Sequence, residues 1–263
     1  MTLSARGLSI GYGGVEVASA IELEVRPGEV NCLLGPNGSG KTTLFKTLIG
    51  LIPALGGEVT IDGVPLSRLS VREIAGHIAY VPQQHAPPFP FSVSDVVIMG
   101  RQVRKGLLSA PDAQDRRRTE EVLEQLGILS LADADYSRIS GGQRQMVLIA
   151  RALVQDTRTL VLDEPTASLD YGNQVRIIGE IARLARSGYG VVLSTHNPDH
   201  AFAVADNVML MHDGGIVASG RPGDVLAVER LSAVYGVPMS IRRLEGNLTV
   251  CVPRYNEIAP LGR

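Results

Sequence analysis

Cysteine is scarce in this chain: there are two among 263 residues, far apart at Cys32 and Cys251. No CxxC pattern occurs, and Cys32 lies in an apolar run. The sequence therefore predicts two buried free thiols in a reducing cytosol rather than a disulfide.

The sequence also lacks a charge excess and a long apolar run. Twenty-five Lys and Arg against 27 Asp and Glu leave a net charge of −2, so no basic surface points to nucleic acid. No stretch approaches the roughly 18 to 20 apolar residues that cross a bilayer. The start, MTLSARGLSIGYGG, lacks the basic and apolar regions of a signal peptide. Any membrane role is therefore expected to act through a partner.

Hydrophobic periodicity predicts strands alternating with helices. Strands are predicted at 3–10, 15–25, 29–34, 56–63, 78–83, 158–165, 189–196, 207–214 and 248–253. From about His85 a proline-rich loop leads into a helical insertion at about 86–155, where the arginine run 116–118 predicts a solvated helix face. The alternation implies an α/β fold with a parallel sheet covered on both faces.

Residues 35–42 read GPNGSGKT, between the apolar run Val30 to Leu34 and a predicted helix. A strand, a glycine-rich turn and a helix N-terminus form a phosphate-binding loop, because backbone N–H groups and the helix dipole converge on one point. Glycine allows close backbone approach, Lys41 can reach the outer phosphates, and Thr42 offers a hydroxyl to Mg²⁺. The loop predicts a bound nucleoside triphosphate.

A second candidate site is the TLVLDEP segment, which places Asp163 and Glu164 at the carboxyl end of an apolar strand. This is the edge where α/β sheets bind ligands. Asp163 is expected to hold Mg²⁺ through water, and Glu164 to orient or deprotonate the water that attacks the γ-phosphate. A lone Asp-Glu pair is also typical of a solvated turn, but the phosphate loop upstream favours the catalytic interpretation.

The segment ISGGQRQ at 139–145 precedes an amphipathic helix, and taken alone it predicts an ordinary N-cap at Ser140. Together with the phosphate loop before it and LDEP after it, SGGQ resembles the signature of the ATP-binding cassette (ABC) family of ATPases. The resemblance covers nearly the whole chain. It implies a P-loop NTPase with a RecA-like parallel core, an antiparallel β subdomain and a helical subdomain, within an ATPase domain at 1–225 and a short C-terminal extension at 226–263.

The resemblance also assigns roles to individual residues. Tyr12 matches the aromatic residue that stacks on adenine, Gln83 matches the glutamine that senses Mg²⁺ and the membrane partner, with Gln84 as a rival, and His196 matches the switch histidine at the γ-phosphate. The implied ATP-binding set is Tyr12, Gly35, Pro36, Asn37, Gly38, Ser39, Gly40, Lys41, Thr42 and Thr43. The implied catalytic residues are Glu164, His196 and Lys41; the Mg²⁺ residues are Thr42, Gln83 and Asp163; the signature is Ser140, Gly141, Gly142 and Gln143; and the dimer loop contains Asp170.

Members of this family work as head-to-tail dimers, in which one chain's signature completes the nucleotide site on the other chain's phosphate loop. The resemblance therefore implies a homodimer that clamps two ATP molecules and reopens after hydrolysis. ATP and Mg²⁺ are the implied ligands.

A narrower resemblance lies in SVSDVVIMGR, in the segment around the signature and in the tail VYGVPMS. These segments are similar to ATPase subunits of importers for iron-siderophore, haem, cobalamin or molybdate-type oxyanions. The implied partners are a permease dimer and, indirectly, a substrate-binding protein, at the cytoplasmic face of the inner membrane. Gln102 and the residues after it depart from that group's pattern, which leaves the substrate open. An export ATPase and a soluble non-transport cassette ATPase are the alternatives.

Overall fold

The computed structural model describes residues 1–83, 90–105 and 110–257 of the chain. Gln84, the prolines at 87 and 88 in the predicted proline-rich loop, and residues 258–263 of the predicted C-terminal extension lie outside the described residues. Within the described residues, no helix combines the length and the apolar character needed to cross a bilayer.

Strands and helices alternate along the described chain, as the periodicity predicts. The strands are β1 Leu3–Tyr12, β2 Val15–Val25, β3 Val30–Leu34, β4 Gly56–Ile61, β5 Val64–Pro65, β6 Ile78–Val81, β7 Thr159–Leu162, β8 Gly190–Thr195, β9 Asn207–His212, β10 Gly215–Gly220, β11 Met239–Arg243 and β12 Thr249–Pro253. The helices are α1 Lys41–Leu48, α2 Val71–His77, α3 Val93–Ile98, α4 Gln102–Lys105, α5 Ala113–Gln125, α6 Gly141–Leu153, α7 Tyr171–Arg186, α8 Pro198–Val204, α9 Pro222–Val225 and α10 Val228–Tyr235. Strands β5, β10 and β11 were not predicted.

The central sheet has six strands in the order β10-β9-β3-β8-β7-β6. The strands from β9 to β6 run parallel, and β10 is antiparallel to β9 at the edge. Both faces are buried: in β3, Cys32 and Leu34 face one hydrophobic cluster and Leu33 faces the other. Apolar side chains on both faces explain why the parallel strands read as continuous hydrophobic runs.

A separate antiparallel sheet, β2-β1-β4-β5, covers one face of the central sheet. Helix α1 lies in the cluster between the two sheets, where Leu44, Phe45 and Leu48 are fully buried. Helices α6 and α7 contribute to the cluster on the opposite face. The predicted α/β class, with its antiparallel β subdomain, is confirmed.

Helices α3, α5 and α6 lie in the predicted insertion, and each begins with a reciprocal capping box. Ser92 with Asp95, Asp112 with Asp115 and Ser140 with Gln143 each satisfy two backbone N–H groups at a helix start. Ser70 and Glu73 form a further capping box at the start of α2. Between β6 and β7 the described residues contain helices and no strand, as predicted.

The chain after residue 225 adds α10 and the β11–β12 hairpin. Leu231, Val234 and Met239 join the cluster that contains α6 and α7. The extension is therefore packed into the core of the ATPase domain, and the division at residue 225 stays a prediction.

The expectation of a solvated face at 116–118 is wrong for Arg118. Arg116 and Arg117 are exposed, but Arg118 Nε donates to Asp156 Oδ1 at 2.8 Å. Asp156 also accepts from Arg101, whose side chain is nearly buried and donates to Asp115 at 3.0 Å and to the Val154 carbonyl at 2.7 Å. This network ties α5 to the end of α6.

Replacing Arg101 by Ala should lower the free energy of unfolding by about 3 kcal/mol, because the buried carboxylate of Asp115 loses its guanidinium. Urea unfolding measures the change. Arg117→Ala, on the exposed face of α5, is the matched control and should stay within about 0.5 kcal/mol of the unmodified protein. Equal effects of the two substitutions would show that the network adds nothing to stability.

Candidate active site

The residues predicted for the phosphate loop, for Mg²⁺ and for catalysis come together because they follow neighbouring parallel strands. The phosphate loop follows β3, Gln83 follows β6, Glu164 follows β7 and His196 follows β8. These strands lie side by side in the central sheet, so their carboxyl ends meet at one edge.

The glycines of the phosphate loop are required by geometry. A Cβ on Gly35 would lie 2.4 Å from the backbone oxygen of Met211, and Gly40, the N-cap of α1, has a φ of +102°. Gly38 also has a positive φ. The hydroxyl oxygen of Ser39 is buried and has no hydrogen-bond partner among the described residues. The loop thus combines close backbone approach with an unused donor, which fits a phosphate oxygen.

Lys41 is buried beneath the loop. Its Nζ donates to the carbonyl oxygens of Gly35 at 2.8 Å and Pro36 at 2.9 Å, and it lies 3.3 Å from Oε1 of Glu164. The ammonium group is therefore held by the loop itself and paired with the strand-end carboxylate.

Glu164 is the point where the strand ends converge. Gln83 Nε2 donates to Glu164 Oε2 at 3.1 Å, and His196 Nδ1 lies 3.6 Å from the same oxygen. The backbone of Glu164 has a φ of +45°, a left-handed conformation that is rare outside glycine. Its N–H donates to the buried hydroxyl of Ser194 at 2.8 Å, which helps to hold that conformation.

Asp163 lies one layer behind Glu164 and is 1% exposed. One carboxylate oxygen accepts from Ser194 Oγ at 2.7 Å, and the other accepts from the Tyr80 hydroxyl at 3.3 Å. Burial, followed by the nearby Asp163 carboxylate, raises the pKa of Tyr80, so this hydroxyl remains a donor. Sequence reasoning missed Ser194 and Tyr80, although a serine at the end of the apolar strand β8 is a usable signal.

An open pocket of about 420 Å³ lies over the loop. Its lining residues are Val17, Asn37, Gly38, Gly40, Lys41, Thr42, Thr43, Gln83 and Glu164. Of the other residues predicted to bind ATP, Gly35, Pro36 and Ser39 form the loop behind this lining. Tyr12, at the end of β1 and 47% exposed, is outside it. Its stacking on adenine stays a prediction.

The signature residues lie apart from the pocket. Ser140 caps α6, and a Cβ on Gly142 would lie 2.4 Å from the side chain of Asn173. Asn173 in turn donates to Asp170, the N-cap of α7, from both its backbone and its side chain. Ser140, Gly141, Gly142 and Gln143 therefore form one surface with the Asp170 loop, and none of the four lines the described part of the phosphate pocket.

His200 supports the loop after β8 rather than the pocket. Its Nδ1 lies 3.1 Å from Thr195 Oγ1, and Asn197 Nδ2 lies 3.3 Å from its Nε2. Burial, with a smaller contribution from His196, lowers the pKa of His200. Its ring is thus mainly neutral near pH 7 and suited to hydrogen bonding within the loop.

The donor set of the pocket fits Mg²⁺. Thr42 and Gln83, both exposed, line it, so a hydroxyl and an amide oxygen are available beside the Glu164 carboxylate. Hard oxygen donors are the ligands that Mg²⁺ prefers. Asp163 can contribute only from behind this layer, as the expectation of a water-mediated contact requires.

Comparison with known proteins places this geometry in a family. A model described as ABC transporter matches residues 18–167, which is more than half of the chain. An uncharacterized ABC transporter ATP-binding protein of Haemophilus influenzae is 40% identical over 89% of each chain. The chain belongs to the ABC transporter family. It is an ATP-binding, ATP-hydrolysing transport ATPase with the P-loop NTPase fold.

Three further matches are one named relative and two solved structures. The hemin import ATP-binding protein HmuV of Streptomyces coelicolor is 39% identical, over 90% of this chain and 84% of that protein. A structure described as a metal-chelate type ABC transporter, inward-facing, has a TM-score of 0.85 and 29% identity over 97% of this chain and 98% of its own. A nucleotide-free ATP-binding cassette, 24% identical with a TM-score of 0.80, shares the fold of this ABC ATPase over 89% of this chain and 99% of its own.

Replacing Gly35 by Ala should weaken ATP binding at least about tenfold, because the new methyl group cannot fit against the Met211 carbonyl unless the loop moves. A fluorescent ATP analogue titrated into the purified chain measures the affinity. Gly179→Ala, on α7 with open space around it, is the matched control and should bind normally. Unchanged affinity in Gly35→Ala would mean that the loop tolerates the displacement.

Proposed function

We propose that this chain is the ATPase subunit of an importer for a metal chelate. Of the chelates suggested by the sequence, haem is favoured because the relative from Streptomyces coelicolor is named a hemin import protein. The likeness to a metal-chelate type transporter over nearly the whole chain supports the same class and favours import over the export and non-transport alternatives. The observation that carries the catalytic part is the convergence of Lys41, Gln83 and His196 on Glu164.

A bound triphosphate would rearrange the ion pair between Lys41 and Glu164. Lys41 is fixed by two loop carbonyls, so its ammonium group stays in place while a phosphate oxygen competes with the carboxylate for it. Release from Lys41 would free one oxygen of Glu164 to accept a proton from water. Binding of the triphosphate would thus free Glu164 to act as the general base.

The remaining contacts of Glu164 suit a general base. Gln83 holds the second oxygen, and the strained backbone points the side chain toward the pocket. A water molecule beside the freed oxygen would be oriented by Glu164 for attack on the γ-phosphate, as in other phosphoryl transfers. His196, 3.6 Å from the same carboxylate, would bind the γ-phosphate and would lose that contact after hydrolysis.

Thr42, Gln83 and, through water, Asp163 would hold Mg²⁺. When bound, the ion would neutralise charge on the β- and γ-phosphates. Asp163 is kept in place for this by Ser194 and Tyr80, which occupy one position on each of its oxygens.

The position of the signature supports a head-to-tail homodimer. Ser140, Gly141 and Gly142 lie beside Asp170 and away from the pocket of their own chain, so they are available to a nucleotide on a second chain. Hydrolysis would remove the phosphate that both chains contact, and the dimer would reopen. In an importer this motion acts on a permease dimer, which places the chain on the cytoplasmic face of the membrane.

A complementation experiment tests the composite site. Ser140→Arg and Lys41→Ala variants should each be inactive, whereas an equal mixture should recover about a quarter of the unmodified ATPase activity, because half of the symmetric dimers regain one intact site. Mixing Lys41→Ala with a chain that carries both substitutions restores no site and serves as the control. Activity no higher in the first mixture than in the control would contradict the shared site.

Reconstitution tests the transport role. The chain, copurified with its permease in lipid vesicles, should hydrolyse ATP several-fold faster when a haem-loaded binding protein is added than when the haem-free protein is added. The same complex with Glu164→Gln should bind ATP but show no stimulated turnover, because the amide cannot accept the proton. Stimulation by a siderophore, cobalamin or oxyanion instead would reject haem. Movement of cargo away from the side of the vesicle membrane that carries the ATPase would reject import.

A further inference from the structure

The C-terminal segment contacts the loop after β8 at two points. The hydroxyl of Tyr235, the last residue of α10, donates to the backbone oxygen of His196 at 2.9 Å. The backbone N–H of Cys251, in β12, donates to Asp199 Oδ1 at 2.7 Å. These two hydrogen bonds hold the loop just before and just after the start of α8.

The His196 ring depends on its backbone for its position. The side chain is 54% exposed, and the group it faces among the described residues is Glu164 at 3.6 Å. An exposed ring is not fixed by packing, so the place of its main chain decides how far it reaches. The Tyr235 hydroxyl binds the carbonyl of that main chain.

Tyr235 is itself held firmly. Leu231 and Val234 on the same helix are buried in the main core, and Gly236 ends the helix in a left-handed conformation. The Tyr235 side chain is half-buried, and desolvation raises its pKa, with smaller contributions from the nearby Cys32 and Cys251. The group therefore remains a protonated donor at neutral pH.

We propose that Tyr235 is a positioning residue for ATP hydrolysis, which fixes the main chain of His196 while leaving the ring free to reach the γ-phosphate. Asp199, held by Cys251, fixes the other side of the same loop. The inference rests on the proposed role of His196. It makes the C-terminal extension part of the catalytic apparatus.

The test uses the full-length chain with Tyr235→Phe, which removes only the hydroxyl. The expected result is a fall in kcat of about fivefold with KM for ATP changed less than about twofold, because the group acts on the reacting geometry rather than on nucleotide binding. Tyr255→Phe, in the same extension with a side chain that is largely exposed, is the matched control and should match the unmodified chain. The melting temperatures of all proteins are measured alongside.

Hydrogen exchange distinguishes positioning from general stability. In Tyr235→Phe the backbone amides of His196, Asn197, Asp199 and His200 should exchange several-fold faster, while those of β3 and α7 stay unchanged. Asp199→Ala should reproduce the fall in kcat, and Asp199→Asn, which keeps an acceptor oxygen for Cys251, should restore most of it.

An unchanged kcat in Tyr235→Phe, or a fall without faster exchange at 196–200, would overturn the inference. The outcome is separable from the proposed function. An unmodified chain that hydrolyses ATP in the dimer while Tyr235→Phe behaves identically refutes only the role of Tyr235. An unmodified chain without turnover in the presence of its permease refutes the proposed function itself.

Discussion

The ion pair between Lys41 and Glu164 is the interaction on which the site depends. Both side chains are almost fully buried, and a buried charge without a partner costs several kcal/mol. Each therefore requires the other, and each is also held by neutral groups: Lys41 by carbonyls of its own loop and Glu164 by Gln83. A phosphate that replaced the carboxylate on Lys41 would preserve charge balance at that end, so the proposed triphosphate would compete for this contact.

The parallel sheet is what makes the pair possible. Lys41 and Glu164 are far apart in sequence, and β8 lies between the strands that precede them. Ser194 at the end of β8 fills that gap, because its hydroxyl accepts from the Glu164 N–H and donates to Asp163. One small polar side chain thus stabilises a strained backbone and orients the carboxylate behind it. A larger residue there would separate the two acidic groups from the loop.

Much of this arrangement can be predicted from sequence because it is local. The phosphate loop, the Asp-Glu pair after β7 and the capping box at Ser70 each depend on residues close together in the chain. Strand β10 is not predicted because its apolar segment is short and is bounded by glycines at both ends. Its pairing with β9 depends on tertiary structure, which the local pattern does not show. Ser194, Tyr80 and the partnership of Arg118 with Asp156 were missed for the same reason: their partners lie far away in sequence.

The contact between Tyr235 and His196 has a further consequence for how such an ATPase can be adapted. The phosphate loop, Lys41 and Glu164 lie at strand ends of the central sheet, whereas Tyr235 ends α10 in the C-terminal extension. Bond making is thus assigned to the strand ends, and the position of the histidine loop to the extension. Tyr235 donates to the backbone oxygen of His196 and not to its ring. Substitutions in α10 or the hairpin would therefore alter how fast His196 reaches the γ-phosphate without changing the chemistry of its ring. A force that displaces the extension would then reach the histidine loop through the hydrogen bonds of Tyr235 and Cys251.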